Sequence, residues 1–350
     1  MSRTTVFYDP LYLEHDTGYG HPERAERLEA TLQILQKSGL SDKVQITAPR
    51  DATIEEIQLV HPKSYIEKIK SVAESGGGYL DMDTPVSPRS YEAALRSAGA
   101  SLEGLERIFA GEIDNAFCLQ RPPGHHATAT QGMGFCLFNN NAVASRFAME
   151  NFGVERVFIL DWDAHHGNGI QDIFYDDNKV LYVSLHQYPH YPGSGSYDEV
   201  GNGAGEGYTV NFPLPPRSGE DVYLTAFDQV ILPIARQYDP QLVLISAGYD
   251  GHYSDPLCSM NLSASTYSEM TIRLKKLAEE TCGGKMMASL EGGYDLLGIA
   301  ASMTNTIAVL ADEDIRVQEP EGPSMGAPST GRGMEIVEAT REALSSHWSL

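Results

Sequence analysis

Asp163 and His165 place a carboxylate and an imidazole two residues apart. On an extended segment such residues project to the same side, so both can reach one ion. Asp250, after a separate apolar run, offers a third ligand. Three protein ligands with one open position is the usual plan of a catalytic Zn²⁺ site. A carboxylate-rich, thiol-free set also suits Fe²⁺, Mn²⁺ or Co²⁺, so the spacing leaves the metal open. His125-His126 follows Pro122-Pro123-Gly124, a stiff turn, and could supply either ligands or acid/base groups. Asp161 and Asn168 are candidate orienting partners for imidazoles. An Asp partner raises imidazole basicity whereas an Asn partner only orients, so the two histidines can differ in pKa and in role. Tyr294, after Gly292-Gly293 on what reads as a flexible turn, could reach a developing oxyanion or simply pack as an aromatic.

These residues need a scaffold that brings distant segments together. Eight short apolar, β-branched runs read as strands: Val6–Tyr8, Val44–Thr47, Ala116–Leu119, Val157–Leu160, Val180–Leu185, Tyr208–Phe212, Leu242–Ser246 and Lys285–Leu290. Helical patterns lie between them at Pro22–Lys37, Ser90–Phe109, Asn140–Phe152, Asp221–Tyr238 and Ser265–Thr281, with Ser90 and Ser265 placed as N-caps. Alternating strands and helices with near-continuous apolar strands predict a parallel sheet covered on both faces. In such sheets ligands bind beyond the carboxyl ends of the strands, where these polar motifs fall. Residues 1–311 read as one catalytic domain, 312–333 as an acidic then Gly/Pro/Ser-rich mobile linker, and 334–350 as a C-terminal helix on the domain.

Composition narrows the function. With 41% apolar residues the chain can build a sizeable core, and its net charge of −23 opposes nucleic-acid binding. The negative field favours cationic partners such as polyamines or lysine-bearing peptides. No apolar run spans a membrane, and the N-terminus lacks a signal-peptide pattern. Cys118, Cys136, Cys258 and Cys282 form no paired framework, which fits a reducing, cytoplasmic setting. A homo-oligomer is compatible with this reading.

Four motifs carry a family resemblance: Arg121-Pro-Pro-Gly-His-His-Ala127, Gly134-Phe-Cys-Leu-Phe-Asn-Asn140, Asp161-Trp-Asp-Ala-His-His-Gly-Asn-Gly169 and Leu290-Glu-Gly-Gly-Tyr294. With His21-Pro-Glu-Arg24 they resemble, in order from about residue 5 to 310, the zinc-dependent histone deacetylase family. That family includes bacterial histone deacetylase-like amidohydrolases and acetylpolyamine amidohydrolases, and Asn168 points to its class II branch. The resemblance implies a three-layer αβα fold with an eight-stranded, mostly parallel sheet, as in arginases and deacetylases. It implies Zn²⁺ on Asp163, His165 and Asp250, with His126 as general base and then acid. His125, paired with Asp161, would give electrostatic support, and Tyr294 would hydrogen-bond the substrate carbonyl. Gly134 and Phe135 would line a substrate tunnel, Tyr191 would face Phe135, Asp83 would sit on the rim, and Arg27 would lie in an internal channel. A structural K⁺ would use Asp161, Asp163, His165, Ser184 and Leu185, and a second monovalent cation Phe174, Asp177, Val180 and Tyr208.

Two departures bear on specificity. Tyr191 stands where the family usually has Phe. Leu257, after Asp255-Pro256, stands where polyamine deacetylases of this branch have Glu, which favours acyl-lysine-type substrates over polyamines. The implied reaction is hydrolysis of an acetyl or short acyl amide by a metal-activated water, on an acyl-lysine peptide or a small acylated amine. Its rivals are an acetylpolyamine deacetylase and a non-catalytic regulatory protein that keeps the metal as a structural element. A binuclear ureohydrolase would need further bridging carboxylates, and His166 occupies a position where one would be required.

Overall fold

The computed structural model describes residues 3–319 and 329–350. In chain order its strands are β1 (Thr4–Phe7), β2 (Gln45–Thr47), β3 (Gly78–Tyr79), β4 (Pro85–Val86), β5 (Asn115–Cys118), β6 (Val157–Asp161), β7 (Val180–Gln187), β8 (Thr209–Leu214), β9 (Leu242–Ala247) and β10 (Met286–Leu290). Eight of them form one sheet in the order β2-β1-β5-β10-β9-β6-β7-β8, and all seven pairings are parallel. These are the eight runs expected from sequence, within a few residues at each end. The two-residue strands β3 and β4 pair antiparallel in a separate hairpin, too short to show in any pattern.

Successive residues of each strand enter opposite cores, as the pleat requires. Phe158 and Leu160 join one apolar cluster, while Val157 and Ile159 join the other. Helices cover both faces, which makes the three-layer αβα arrangement. β2 lies at the edge, and its Ile46 is correspondingly exposed. No helix among the described residues is long and apolar enough to cross a membrane.

Local details differ from expectation for identifiable reasons. Ser263, not Ser265, caps helix Ala264–Cys282, accepting from Thr266 N in a reciprocal box. Ser90 begins its helix without capping it, and its Oγ instead lies 2.6 Å from His15 Nδ1. The expected helix Asp221–Tyr238 is broken into Glu220–Ala226 and Leu232–Tyr238 by a wider π-type turn at Phe227–Ile231. Pro233 lacks the N–H that a continuous helix would need there. Helices Lys63–Glu74 and Leu296–Leu310 were not anticipated; the second is buried along most of its length and shows little amphipathic pattern.

Residues 312–319 lie along the domain, with Lys275 Nζ donating to Asp312 at 2.6 Å and Val317 N to Asn305 Oδ1 at 2.7 Å. The Gly/Pro/Ser-rich stretch 320–328 falls outside the described residues. Helix Thr330–Leu344 then covers β8, where Thr340 Oγ1 donates to Asn211 O and Trp348 Nε1 to Gly207 O.

Beneath the strand ends, Glu23 is fully buried between two guanidinium groups. Arg27 donates to it at 2.9 Å, and Arg121 at 2.5 and 2.8 Å. Burial works to raise the Glu23 pKa, but Arg121 and Arg27 outweigh it and hold the carboxyl well below its usual range. Its stabilising contribution is therefore complete above the unfolded pKa of about 4.3 and is lost only as pH falls through the lower folded value. Glu23→Gln leaves two buried cations uncompensated. It is expected to lower stability by about 3–5 kcal/mol, seen as a reduced urea midpoint at unchanged m-value.

Candidate active site

The four chemistry-bearing segments leave β5, β6, β9 and β10, which are neighbours at the centre of the sheet. Their carboxyl ends therefore meet. Asp163 Oδ1 and Asp250 Oδ2 lie 3.2 and 2.8 Å from His165 Nδ1, and all three residues are buried. Backbone N–H groups fix both carboxylates: Gly292 donates to Asp163 Oδ2 and Ala164 to Asp250 Oδ1, each at 2.7 Å. A Cβ at position 292 would come within 2.4 Å of Asp250 Oδ2, so glycine is required there.

Burial and the Asp163 charge push Asp250 up to about 7. At Asp163 burial acts in the same direction, but His125 and His165 overcome it and hold the group well below the usual range. Two buried carboxylates this close resist joint ionisation, and a divalent cation between them removes the conflict. The trio's ligand atoms lie within 4.8 Å of one another, and its one-nitrogen, two-carboxylate chemistry fits such an ion.

His125 Nδ1 donates to Asp161 Oδ2 at 3.0 Å, and Tyr182 Oη donates to the same oxygen at 3.1 Å. His126 Nδ1 donates to Asn168 Oδ1 at 2.8 Å. Burial lowers the His125 pKa, but Asp163 and Asp161 outweigh it and raise it to about 10. For His126, burial is reinforced by His125 and His165, and the pKa falls well below its ordinary value. The surroundings thus push the two adjacent histidines in opposite directions.

A cleft of about 210 Å³ brings together His126, His165, Tyr294, Asp83, Gly134, Phe135, Tyr191 and Leu257, together with His190. The half-exposed Tyr191 and Leu257 form its mouth, and the buried His126, His165 and Tyr294 its base. Tyr191 packs edge-on against His126 at 5.1 Å, whereas Phe135 packs edge-on against Tyr294 at 5.9 Å. The ring contacts of Tyr191 are thus with histidines. Gly134 has φ +55° and lies so close to His126 that a Cβ would come within 2.4 Å of the ring. Phe135 adopts a left-handed φ of 70°, the kind of local strain that a rigid surround sustains at working sites. Tyr294 is not on a free turn, because its N–H donates to Asp255 Oδ2 at 2.7 Å. A larger groove of about 930 Å³ along helix Ala264–Cys282 and residues 312–319 touches none of these motifs.

The remaining candidates lie nearby. Arg27 is buried behind the base, donating to Glu291 O and Gly293 O, with its guanidinium 5.2 Å from the Tyr294 ring centre. Asp161 and Ser184 are register partners on β6 and β7, with Leu185 next to Ser184. Asp177 N donates to Phe174 O on the turn that leads into Val180, while Tyr208 O accepts from Tyr182 N. Sequence reasoning gave no role to His190, Cys258 or Glu291. Glu291 Oε2 accepts from the N–H groups of Gly124 and His125, a clamp on the histidine loop. The signal for His190 and Cys258 was adjacency, since each neighbours a mouth residue in the chain.

Residues 21–310 match the histone deacetylase domain. The chain belongs to the histone deacetylase family. This deacetylase-family chain is 41% identical over 323 residues to a "Probable deacetylase" of Archaeoglobus fulgidus, covering 91% of this chain and 89% of that one. It is 39% identical over 312 residues to a "Histone deacetylase-like amidohydrolase" of Pseudomonas aeruginosa, covering 83% and 82%. The crystal structure of the "HDA15 HD domain" superposes with a TM-score of 0.90 at 38% identity, covering 99% of this chain and 95% of that one. Family membership supports deacetylase or amidohydrolase chemistry at this cleft.

Adding Zn²⁺ to metal-free protein is expected to raise the thermal midpoint. The stabilisation is about 4.1 kcal/mol at a thousandfold excess over the dissociation constant. In Asp250→Asn that shift should fall away, which differential scanning calorimetry would show.

Proposed function

We propose that this protein is a zinc-dependent amidohydrolase that removes acetyl or other short acyl groups from acyl-lysine-type amides. One observation carries the reading: His126, His165 and Tyr294 share the base of one narrow cleft, with Asp163 and Asp250 directly behind. Asp163, His165 and Asp250 would hold a divalent ion, which when bound would supply Lewis acidity for the carbonyl and could lower the pKa of a water from about 15.7 to about 7. Fe²⁺ or Co²⁺ fits the same donors.

His126, neutral and oriented by Asn168, accepts a proton from the attacking water and returns it to the departing amine. General acid–base help of this kind contributes roughly 10²–10⁴ in rate. His125, kept charged between Asp161 and Asp163, stabilises the negative charge that grows at the base. Tyr294 donates its O–H to the carbonyl oxygen as that oxygen gains charge. Gly134, Phe135 and Tyr191 enclose the aliphatic stem of the substrate and keep water out. Asp83 accepts hydrogen bonds from the substrate backbone at the rim. Arg27 lines an internal channel behind the base. A structural K⁺ on Asp161, Asp163, His165, Ser184 and Leu185 would neutralise part of the buried charge, and Phe174, Asp177, Val180 and Tyr208 would hold a second monovalent cation. The four unpaired cysteines accord with work in the reducing cytoplasm.

Tyr294→Phe removes the oxyanion donor and is expected to lower kcat by about 10²–10³ on an acetyl-lysine peptide. Wild-type turnover in that variant would remove Tyr294 from the scheme. A polyamine substrate is the second reading, favoured by the net charge of −23. It is opposed by the apolar Leu257 at the mouth. Leu257→Glu should shift the kcat/KM ratio toward acetylated spermidine by about tenfold, or about 1.4 kcal/mol in transition-state binding.

A further inference from the structure

Asp255 is a buried carboxylate that the hydrolytic scheme leaves without a role, and it is bonded to two residues that line the cleft. Its Oδ2 accepts from Tyr294 N at 2.7 Å, and its Oδ1 accepts from Leu257 N at 2.9 Å and Cys258 N at 3.4 Å. Its own N–H donates to His252 O at 2.9 Å. Burial pushes the carboxyl up to about 6, while the N–H groups of Leu257 and Tyr294 pull it back. A buried carboxylate is costly unless its lone pairs find donors, and here both oxygens do. The turn at Pro256 occupies only Oδ1. Oδ2 reaches a different loop, 39 residues further along the chain.

That loop needs an anchor at this point. Gly292 and Gly293 precede Tyr294, and Gly293 has a φ of +113°, which glycine adopts without strain. Gly292 N is fixed to Asp163 Oδ2 and Gly293 O to Arg27 Nε, each at 2.7 Å. On the far side, Asp295 caps helix Leu296–Leu310 through Gly298 N at 2.7 Å. Tyr294 lies between these fixed points, and the bond from its N–H to Asp255 sets the peptide plane from which its ring departs.

We propose that Asp255 is a positioning residue that holds Tyr294 at the base of the cleft in register with Leu257 at its mouth. This deepens, and rests on, the reading of the cleft as an amidohydrolase site with Tyr294 as oxyanion donor. One buried carboxylate ties the depth at which the carbonyl is polarised to the wall that admits the acyl chain. Without it the Tyr294 hydroxyl is free to shift on its glycine-rich loop. A misplacement of about 1 Å can cost about 10²-fold in rate.

The test is a double-mutant cycle on zinc-loaded protein with an acetyl-lysine peptide. Asp255→Ala should lower kcat by about 10²-fold while KM changes by less than about fivefold. In a Tyr294→Phe background the same substitution should lower kcat by less than about threefold, since the hydroxyl it positions is already gone. A purely structural role would cost as much in that background as in wild type. Asp255→Asn carries the cycle if Asp255→Ala does not fold. Its single oxygen goes to the side with two donors, Leu257 N and Cys258 N, and leaves an amide nitrogen facing Tyr294 N. Either variant should keep the Zn²⁺-induced rise in thermal midpoint. Loss of that rise would make Asp255 a support of the metal ligands instead and overturns the proposal, as do wild-type kcat in both variants or equal losses in the two backgrounds. Crystal structures of wild type and the folded variant separate this result from the hydrolase reading. An unmoved Tyr294 hydroxyl overturns the role of Asp255 whatever the activity. A hydroxyl displaced by about 1 Å, in a protein whose wild type hydrolyses no acyl amide, counts against the hydrolase reading alone.

Discussion

Asp161, Asp163 and Asp250 are all fully buried at the carboxyl edge of the sheet, and much of the surrounding structure answers to the cost of that charge. Isolated carboxylates in such a place would shed their charge by taking up protons. Here each receives donors instead: Asp163 N and Tyr182 Oη for Asp161, Gly292 N and His165 N for Asp163, Ala164 N for Asp250. Gly248 and Gly292 let the backbone pack against Asp163, since a Cβ at either would strike Oδ2, and Gly292 N donates to that oxygen. His125 Nδ1 adds a further donor to Asp161. The donor set of one imidazole and two carboxylates fits a divalent ion.

The same field separates the two adjacent histidines. Asp163 and Asp161 overcome burial and make His125 more basic; burial, His125 and His165 make His126 less so, although its Nδ1 donates to the Asn168 amide oxygen. Their rings lie only 4.0 Å apart, so the charge on the first also discourages protonation of the second. A neutral imidazole is thereby available beside the cleft at neutral pH, at no cost in extra residues. Glu291, clamped to the N–H groups of Gly124 and His125, keeps the loop that carries both rings from drifting.

Behind the buried carboxylates, a second layer of charge ties the N-terminal segment to the strand ends. Glu23 joins Arg27 to Arg121, Arg121 also donates to Tyr12 O and His15 O, and Arg27 donates to Glu291 O and Gly293 O. A segment near residue 23 is thereby fixed to loops after β5 and β10, nearly a hundred residues and more away in sequence.

The strands and the chemistry were legible because both are local. Continuous apolar runs must be buried on both faces, and Asp163-x-His165 or Pro-Pro-Gly-His-His keep their meaning wherever the chain takes them. Less was legible where a pattern is short or uniform: the hairpin of β3 and β4, the largely buried helix Leu296–Leu310, and the π-type turn before Pro233. The sequence by itself determined which residues could bind a cation, move a proton or donate to an oxyanion, since those capacities belong to side-chain types. Only the tertiary structure decided that β5, β10, β9 and β6 lie side by side, so that four separate motifs become one site. It alone set His125 against Asp161 and His126 against Asn168, and brought Cys258 within 3.6 Å of two imidazoles. Such pairings arise from strand order and loop closure over 36 to 93 residues of separation, which local pattern does not encode.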